Sequence, residues 1–557
     1  MYNNKNVQIH FLILIGVIGL IKAAEAMVKC LEKEGVKVVF GYPGAAICPF
    51  YDELTRSDIR HILVRHEANA GHSANGYARI TGKPAVCIAT SGPGAMNLMT
   101  AIATAYADSV PLVCITGQVS TDQIGCDVFQ EVDTTGAAEP FVKYSYLIKD
   151  ASELPRIFKE AFYLAGSGRN GPVLIDVPVD VQQTMIDFEY PDSVELRTYK
   201  PTLKGNGFQI KKVCEALKNS ERPLICAGGG VIAANACEEL RTFAEKTKIP
   251  VVSTMMGLGI FPTAHPLYMG MLGMHGVRTA NEAVSKCDTM LLIGARVGDR
   301  AVRSPKFLAE TTKIIHIDVD PAEIGKNMHV DIPLVGDCKN ILAELTAGLD
   351  SAERADWLAE LSEVKNTVPK EDETEGYVNP KMFIRKLSAK LPDNTICVAD
   401  VGQNQIWTCN NFQFKAGKFL TSGGMGTMGY SIPAAVGAKF ASPDSEVVAI
   451  CGDGSFQMQM MELATIVQEK IPVKIIIMRN NRLGMVRELQ TNLYKDNQTA
   501  VHIADGNPDF VALAKAYGIN AERVCTMSEA EEAIEHLCSS KEAYLLECNV
   551  WRNESTL

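Results

Sequence analysis

The chain lacks the residue groupings of a zinc protein: its 16 cysteines contain no C-x-x-C pair, so none stands with any of its 10 histidines in a zinc-ligand grouping. This excludes a zinc ribbon or finger and leaves reduced thiols, the ordinary state in a cytoplasmic protein, as the simplest expectation. His66-Glu67 opens like a zinc-protease helix, but position 70 is Ala70, so the second histidine is missing. Basic charge is also short. Against 65 Asp and Glu stand 54 Lys and Arg, giving a net charge of -11 and a pI near 5.5, with no footprint for nucleic acid or an anionic lipid surface. The apolar stretch 11–21 is 11 residues long with Lys5 as the only Lys or Arg before it. That is short of the about 20 residues a spanning helix needs, and weak as a signal peptide. No membrane or nucleic-acid partner is expected, and residues 1–21 are read as an N-terminal extension ahead of a first helix over residues 23–34.

What is present is ordinary soluble composition, 47% hydrophobic and 21% charged, at a length that allows three or four domains. Three stretches share one pattern. Residues 85–90 lead into a glycine loop, a helix and the apolar run 111–115; residues 223–227 lead into Gly228-Gly229-Gly230, a helix and 250–252; residues 447–450 lead into Gly452-Asp453-Gly454, a helix and 472–475. Near-continuous Val, Ile and Leu is the mark of strands covered on both faces, so each stretch reads as a βαβ unit of a parallel sheet. Three doubly wound α/β domains follow, over residues 22–186, 205–348 and 377–550. The proline-bearing acidic stretch 187–204 and the charged run 350–376 read as linkers, the latter as solvated helix and linker.

The third unit carries the most specific chemistry. Asp453 closes one strand, and Asn480-Asn481 closes the next, 27 positions on. An aspartate and an amide oxygen on one edge of a parallel sheet suit Mg²⁺, which takes oxygen ligands and keeps part of its shell for water and phosphates. The glycines beside Asp453 let backbone amides approach a diphosphate. Gly424-Met425-Gly426-Thr427-Met428-Gly429 fits G-x-G-x-x-G, but no acidic residue closes a strand about twenty positions later, so a dinucleotide reading of that loop is poor.

Together with Arg65-His66-Glu67, Gly41-Tyr42-Pro43-Gly44, the stretch 66–118, Asp127-Val128-Phe129-Gln130-Glu131, Leu272-Gly273-Met274-His275-Gly276, His316-Ile317-Asp318-Val319-Asp320 and Leu483-Gly484-Met485-Val486, these motifs resemble the large catalytic subunits of the acetolactate synthase (acetohydroxyacid synthase) family of thiamine-diphosphate enzymes, over roughly residues 22–550. The resemblance implies a pyrimidine-binding first domain, a central FAD-binding-like domain and a diphosphate-binding last domain. It implies Glu67 as the catalytic carboxylate that bonds the cofactor's pyrimidine. It implies Gly44, Gln403, Asn404, Gly426, Met428, Asp453, Gly454, Ser455, Asn480 and Met485 as further thiamine-diphosphate contacts, Met428 being the wedge that bends the cofactor, and Asp453, Asn480 and Arg482 as metal ligands. For FAD it implies Arg169, Gly228, Gly229, Gly230, His275, Gly294, Arg296, Asp318 and Asp337.

For substrate the resemblance implies Arg300 as a carboxylate clamp, with Phe129, Gln130, Lys143, Met274 and Leu489 around it. Two departures from the family stand near the flavin site, Val297 and Gly298 replacing a phenylalanine and an aspartate, and Leu489 stands where biosynthetic members commonly carry tryptophan. The implied reaction decarboxylates pyruvate and joins the fragment to a second pyruvate or to 2-oxobutyrate, in valine, leucine and isoleucine synthesis. The implied partners are a second copy, as a homodimer or dimer of dimers with shared sites, and a separate small regulatory subunit. Pyruvate oxidase and an acetoin-forming acetolactate synthase remain as alternatives, with a simple decarboxylase and a non-catalytic scaffold behind them.

Overall fold

The computed structural model describes residues 19–302, 308, 310–366 and 374–556. Three sheets of six strands carry it, and every neighbouring pair of strands in them is parallel. The strands are short and sealed on both faces: Ala85–Ala89, Pro223–Ala227 and Thr289–Ile293 are buried at every position, as expected where helices cover both sides. Among the described residues no helix is long and apolar enough to cross a membrane.

Two compact units emerge. The first holds residues up to Ala78 and Lys83–Lys200, with one sheet; the second holds Arg79–Gly82 and the chain from Pro201, with two. In the second unit the two sheets share apolar packing, with Leu258 and Met271 of the central part buried in the cluster of Phe383, Trp407 and Phe414. Thr263 also donates its backbone N–H to the carbonyl of Phe414 at 2.8 Å.

Numbering the six strands of each sheet in chain order exposes a difference in winding. The first sheet (Val38–Gly41, Arg60–Leu63, Ala85–Ala89, Leu112–Gln118, Tyr144–Leu147, Pro172–Pro178) runs 2-1-3-4-6-5, and the last (Ile396–Ala399, Phe419–Leu420, Val447–Gly452, Val473–Arg479, Asn520–Val524, Tyr544–Asn549) repeats that order. The central sheet (Pro223–Ala227, Val251–Ser253, Tyr268–Met271, Thr289–Ile293, Lys313–Asp318, Ile332–Val335) runs 3-2-1-4-5-6. In each sheet the order reverses beside strand 1, and a crevice opens there at the carboxyl ends, the place where open α/β sheets bind ligands.

Two expectations need correction. The first unit takes in residues of the expected extension, because Leu20–Lys22 pairs antiparallel with Met185–Asp187; residues 1–18 lie outside those described. The charged run 350–376 is not merely a solvated linker either. It contains the helix Ala355–Lys365, whose Trp357 and Leu361 are 3% and 0% exposed within the central core. The Trp357 indole donates to the carbonyl of Pro223 at 3.1 Å. Burying two such side chains contributes roughly 2–3 kcal/mol each, enough to dock a helix whose other faces are charged, so the central domain extends past 348.

Candidate active site

The last sheet builds its crevice between Ile396–Ala399 and Val447–Gly452. Asp400 follows the first of these strands, and its buried carboxylate accepts backbone N–H bonds from Val401, Gly429 and Ser431 at 2.9, 2.9 and 2.8 Å. Burial raises its pKa against those three bonds. The bonds to Gly429 and Ser431 pin the G-x-G-x-x-G loop to the strand edge, so that motif is a tight turn into the helix Ser431–Ala441. Within the loop Gly426 sits at φ +71, in the left-handed region that glycine enters freely. Met428 Cε lies 3.7 Å from where a side chain on Gly454 would begin, beside Leu483 and Ile503.

Asp453 and Asn480 come together across the adjacent strands Val447–Gly452 and Val473–Arg479, which are in parallel register. Asp453 is 1% exposed. Its Oδ2 accepts the Asn481 N–H at 2.8 Å and the Asn507 amide at 2.9 Å, whereas Oδ1 has the Gly454 N–H at 3.2 Å. Burial pushes this carboxyl up to about 6 despite those bonds. A dication at Oδ1 would supply the missing counter-charge. Asn480 Oδ1 accepts the Arg482 N–H at 3.0 Å, which brings Arg482 to the same turn. Ser455 closes that turn on Gly452 through its hydroxyl, at 3.1 and 3.2 Å. Oxygen donors at a sheet edge and a short helix starting at Asp453 fit a magnesium-bound diphosphate.

Gln403 and Asn404 open the helix Gln403–Asn411 in the same crevice. Asn404 donates to the Asp400 carbonyl at 2.7 Å. Gln403 is engaged at both ends of its amide: Oε1 accepts from Asn480 at 2.8 Å and Nε2 donates to the carbonyl of Glu554 at 2.7 Å. The same carbonyl accepts from Arg487 at 2.8 Å, and Glu488 receives both the N–H and the hydroxyl of Thr556 at 2.8 and 2.9 Å. The turn from Glu554 to Thr556 is thus fastened to the site. Met485 is half-buried on the helix Gly484–Leu493, and Leu489 on that helix is 50% exposed.

In the first unit, Glu67 is the first residue of the helix Glu67–Thr81, where a carboxylate is favoured by the helix dipole. Asn97 donates to its Oε2 at 3.0 Å. Around it the backbone is pressed close: a side chain at Gly44 would begin 2.5 Å from Thr90 Cβ, and one at Gly94 would begin 3.3 Å from Glu67 Oε1. The Thr90 hydroxyl is buried with no partner among the described residues, a polar group that a ring nitrogen or amine would satisfy. Phe129 is 86% exposed and Gln130 has φ +61. Lys143 was expected among the substrate residues. Its ammonium binds the carbonyls of Leu164 and Ser167 and the Tyr199 hydroxyl, closing the end of the helix Leu154–Gly166. Arg169 donates to Ser109 at 3.0 Å.

The central crevice lies between strands 1 and 4. Gly228 and Gly230 differ from expectation in their contacts: their close approach is to their own chain. A side chain on Gly228 would begin 2.2 Å from the Gly294 carbonyl, and one on Gly230 would begin 2.7 Å from Gly294 Cα. Gly228 and Gly230 donate to Ile293 and Gly294 at 2.9 and 3.0 Å. Gly229 faces Met256 at 3.2 Å. Asp337 caps the helix Cys338–Gly348, Asp318 accepts from Asp320 N–H at 2.9 Å, and Arg296 follows Gly294 at the mouth. Val297 is buried in the central core and Gly298 faces open space.

At the rim, Met274 Sδ meets an Arg300 nitrogen at 3.4 Å and the two backbones bond at 2.9 Å. The Arg300 side chain is 72% exposed, with Asp299 at 3.7 Å. His275 has a buried Nδ1 without a partner among the described residues, and burial lowers its pKa, Arg300 adding to the effect. Sequence reasoning missed Asp400, Thr90 and Asn507. Asp400 and Asn507 act through partners far along the chain; Asp400 and Thr90 each end an apolar run, whereas Asn507 has no such local signal.

Comparison with known proteins closes the argument. Models of the thiamine pyrophosphate enzyme N-terminal TPP binding domain, central domain and C-terminal TPP binding domain match residues 21–137, 210–345 and 400–548. A probable acetolactate synthase large subunit of Methanocaldococcus jannaschii is 49% identical over 540 residues, covering 94% of this chain and 91% of the relative. An acetolactate synthase of Arthrospira platensis is 44% identical, covering 96% and 95%, and an acetolactate synthase large subunit of Corynebacterium glutamicum is 45% identical, covering 92% and 84%. A chain with this site and these relatives belongs to the acetolactate synthase large-subunit family of thiamine pyrophosphate enzymes.

Proposed function

We propose that this chain is the catalytic subunit of an acetolactate synthase. It converts two molecules of pyruvate to 2-acetolactate and CO2, and joins pyruvate to 2-oxobutyrate to give 2-aceto-2-hydroxybutyrate, in the synthesis of valine, leucine and isoleucine. The observation that carries the reading is the buried Asp453 carboxylate bonded to the Asn481 N–H, with Asn480 bonded to Gln403, at the switch point of the last sheet, in a chain so close to named acetolactate synthases. Thiamine diphosphate, when bound, supplies a nucleophilic carbon and a sink for the electrons released with CO2.

The chain's own residues do the rest. Asp453, Asn480 and the Arg482 carbonyl hold Mg²⁺, and Gly454, Ser455, Gln403, Asn404 and Met485 line the diphosphate. Met428 against Leu483 forms an apolar wall that sets the bend of the cofactor and excludes water. Glu67, held by Asn97, keeps a proton at the pyrimidine edge beside Gly44 and Thr90. Gly426 offers its backbone to the pyrimidine amine. The exposed Arg300 pairs with a planar carboxylate at the rim, with Met274 and Leu489 shaping the space for the acceptor's alkyl group; Phe129 and Gln130 are further substrate residues.

FAD is proposed for the central crevice. The 3-2-1-4-5-6 strand order with glycine-rich ends at strands 1 and 4 supports it, as does the unpartnered Nδ1 of His275; Arg169, Gly229, Arg296, Asp318 and Asp337 are the further contacts. A homodimer in which Glu67 of one chain meets Asp453 of the other, and a separate small regulatory subunit, follow from the family. The sixteen free cysteines support a reducing, cytoplasmic setting. The test is purified protein with pyruvate, thiamine diphosphate and Mg²⁺, with and without FAD. 2-Acetolactate is the expected product; acetaldehyde alone, or acetate with peroxide, overturns the reading.

A further inference from the structure

Behind the Asp453 carboxylate lies a set of side chains with no role so far. Asn507, 54 positions further along the chain, sits after the short turn Ala504–Gly506. Its amide nitrogen donates to two acceptors, Asp453 Oδ2 at 2.9 Å and Asn481 Oδ1 at 2.8 Å. Its oxygen accepts from Gln457 at 2.6 Å. Asn481, in turn, stands at φ +60, in the left-handed region, and its Oδ1 also receives Arg479 Nε at 2.9 Å. Arg479 is anchored on Glu547, 0% exposed, at 2.7 Å, and Arg523 reaches the same Glu547 oxygen at 2.9 Å.

We propose that Asn507 is a positioning residue for the metal, fixing the rotation of the Asp453 carboxylate so that Oδ2 faces the protein and Oδ1 faces the ion. Of the two oxygens, Oδ2 is saturated by two strong donors while Oδ1 keeps its lone pairs beside a single long bond. Without the Asn507 amide, the Asn481 N–H alone holds Oδ2, and the carboxylate is free to turn about its Cβ–Cγ bond. Asn507 cannot drift, because its own oxygen is tied to Gln457 and its nitrogen shares Asn481 with a charged guanidinium. The ordering therefore starts at a buried ion pair, passes through two asparagines and ends on the ligand. Partners of this kind, which hold a ligand without touching the metal, change metal affinity by about 10–100-fold.

The inference rests on Asp453 being a metal ligand, and the experiment separates the two. Mn²⁺ binding to the full-length protein with thiamine diphosphate present is measured by EPR for wild type, Asp453→Ala, Asn507→Ala and Asn507→Leu, alongside the thermal midpoint of each metal-free protein. Leucine keeps the branched shape of asparagine at a somewhat larger volume and removes its hydrogen bonds. The expected result is tight binding by wild type, none by Asp453→Ala, and a dissociation constant about 10-fold or more weaker in both Asn507 variants at an unchanged metal-free midpoint. If wild type binds no Mn²⁺, or Asp453→Ala binds as well as wild type, the metal reading fails and this proposal with it. If Asp453 is required but Asn507→Leu binds like wild type, or the weaker binding comes with a lowered midpoint, Asn507 only packs and the proposal alone is overturned.

Discussion

Adding one methyl group at Gly484 should destabilise the last domain and loosen its cofactor site together. Gly484 starts the helix Gly484–Leu493. A Cβ there would lie 1.8 Å from Gln403 Oε1, 2.6 Å from its Cδ and 2.8 Å from Asn480 Nδ2. The Gln403 amide must retreat by more than an ångström, and its bonds to Asn480 and Glu554 go with it. Losing two such bonds costs about 2 kcal/mol, the crowding adds about 1–3 kcal/mol, and alanine in a helix returns at most about 1 kcal/mol. The net is a loss of about 2–4 kcal/mol, a fall of roughly 5–12 °C in the midpoint for a domain of this size. Gly207 provides the control, since it starts the helix Gly207–Lys218 and a Cβ there meets nothing within 4 Å. Calorimetry on Gly484→Ala and Gly207→Ala, with titration of thiamine diphosphate and Mg²⁺, reads both quantities. A Gly484→Ala protein that melts at or above wild type, or binds cofactor as tightly, refutes the packing argument.

Glu67→Gln should abolish turnover while leaving the thiamine diphosphate dissociation constant within a few-fold, read by isothermal titration; retained activity would remove the proton role from Glu67. Mixing inactive Glu67→Gln and Asp453→Ala chains should restore part of the activity if each site is shared between two copies, and no recovery in hybrids isolated by tag would refute sharing. Leu489→Trp should raise the share of 2-aceto-2-hydroxybutyrate when pyruvate and 2-oxobutyrate compete, because an indole supplies the flat apolar wall that the half-exposed Leu489 lacks; product analysis decides. Asp176 gives a pH dependence. Burial holds its carboxyl at about 7 against bonds from Thr116 and Gln118. A raised folded-state pKa means stability is fully present below the unfolded value near 4 and lost as pH rises through 7, a change of about 4 kcal/mol. Asp176→Asn should flatten the first unit's midpoint between pH 5 and 8, and equal slopes in both proteins would refute the assignment.

The three sheets were legible because their strands are unbroken apolar runs ending in glycine or acid, as at Ile450 to Asp453, and such runs have few alternatives. Asp453, Asn480 and Glu67 were legible for a related reason, each standing at a strand or helix end in a recognisable spacing. A helix was expected in the run 350–376, but the docking of Ala355–Lys365 into the core was hidden because a single stripe of Trp357, Leu358 and Leu361 docks it beneath a charged surface. Asp400 and Asn507 were hidden because their meaning lies in partners brought close only by folding, Gly429 and Ser431 for one and Asp453 for the other. Gly228 and Gly230 were expected to admit a ligand, and in the structure the chain's own Gly294 lies close to both. Lys143 carries a charge suited to a carboxylate, yet helix-end carbonyls claim it.

The fastening of the turn Glu554–Thr556 has a practical consequence. The Glu554 carbonyl is gripped by Gln403 and Arg487, and Thr556 by Glu488, so this turn shifts only when groups one bond away from Asn480 and Gly484 shift too. A fluorophore on the exposed Arg552 position would pull on that same wiring. An exposed position becomes a handle through which the filling of a buried cleft can be followed from outside.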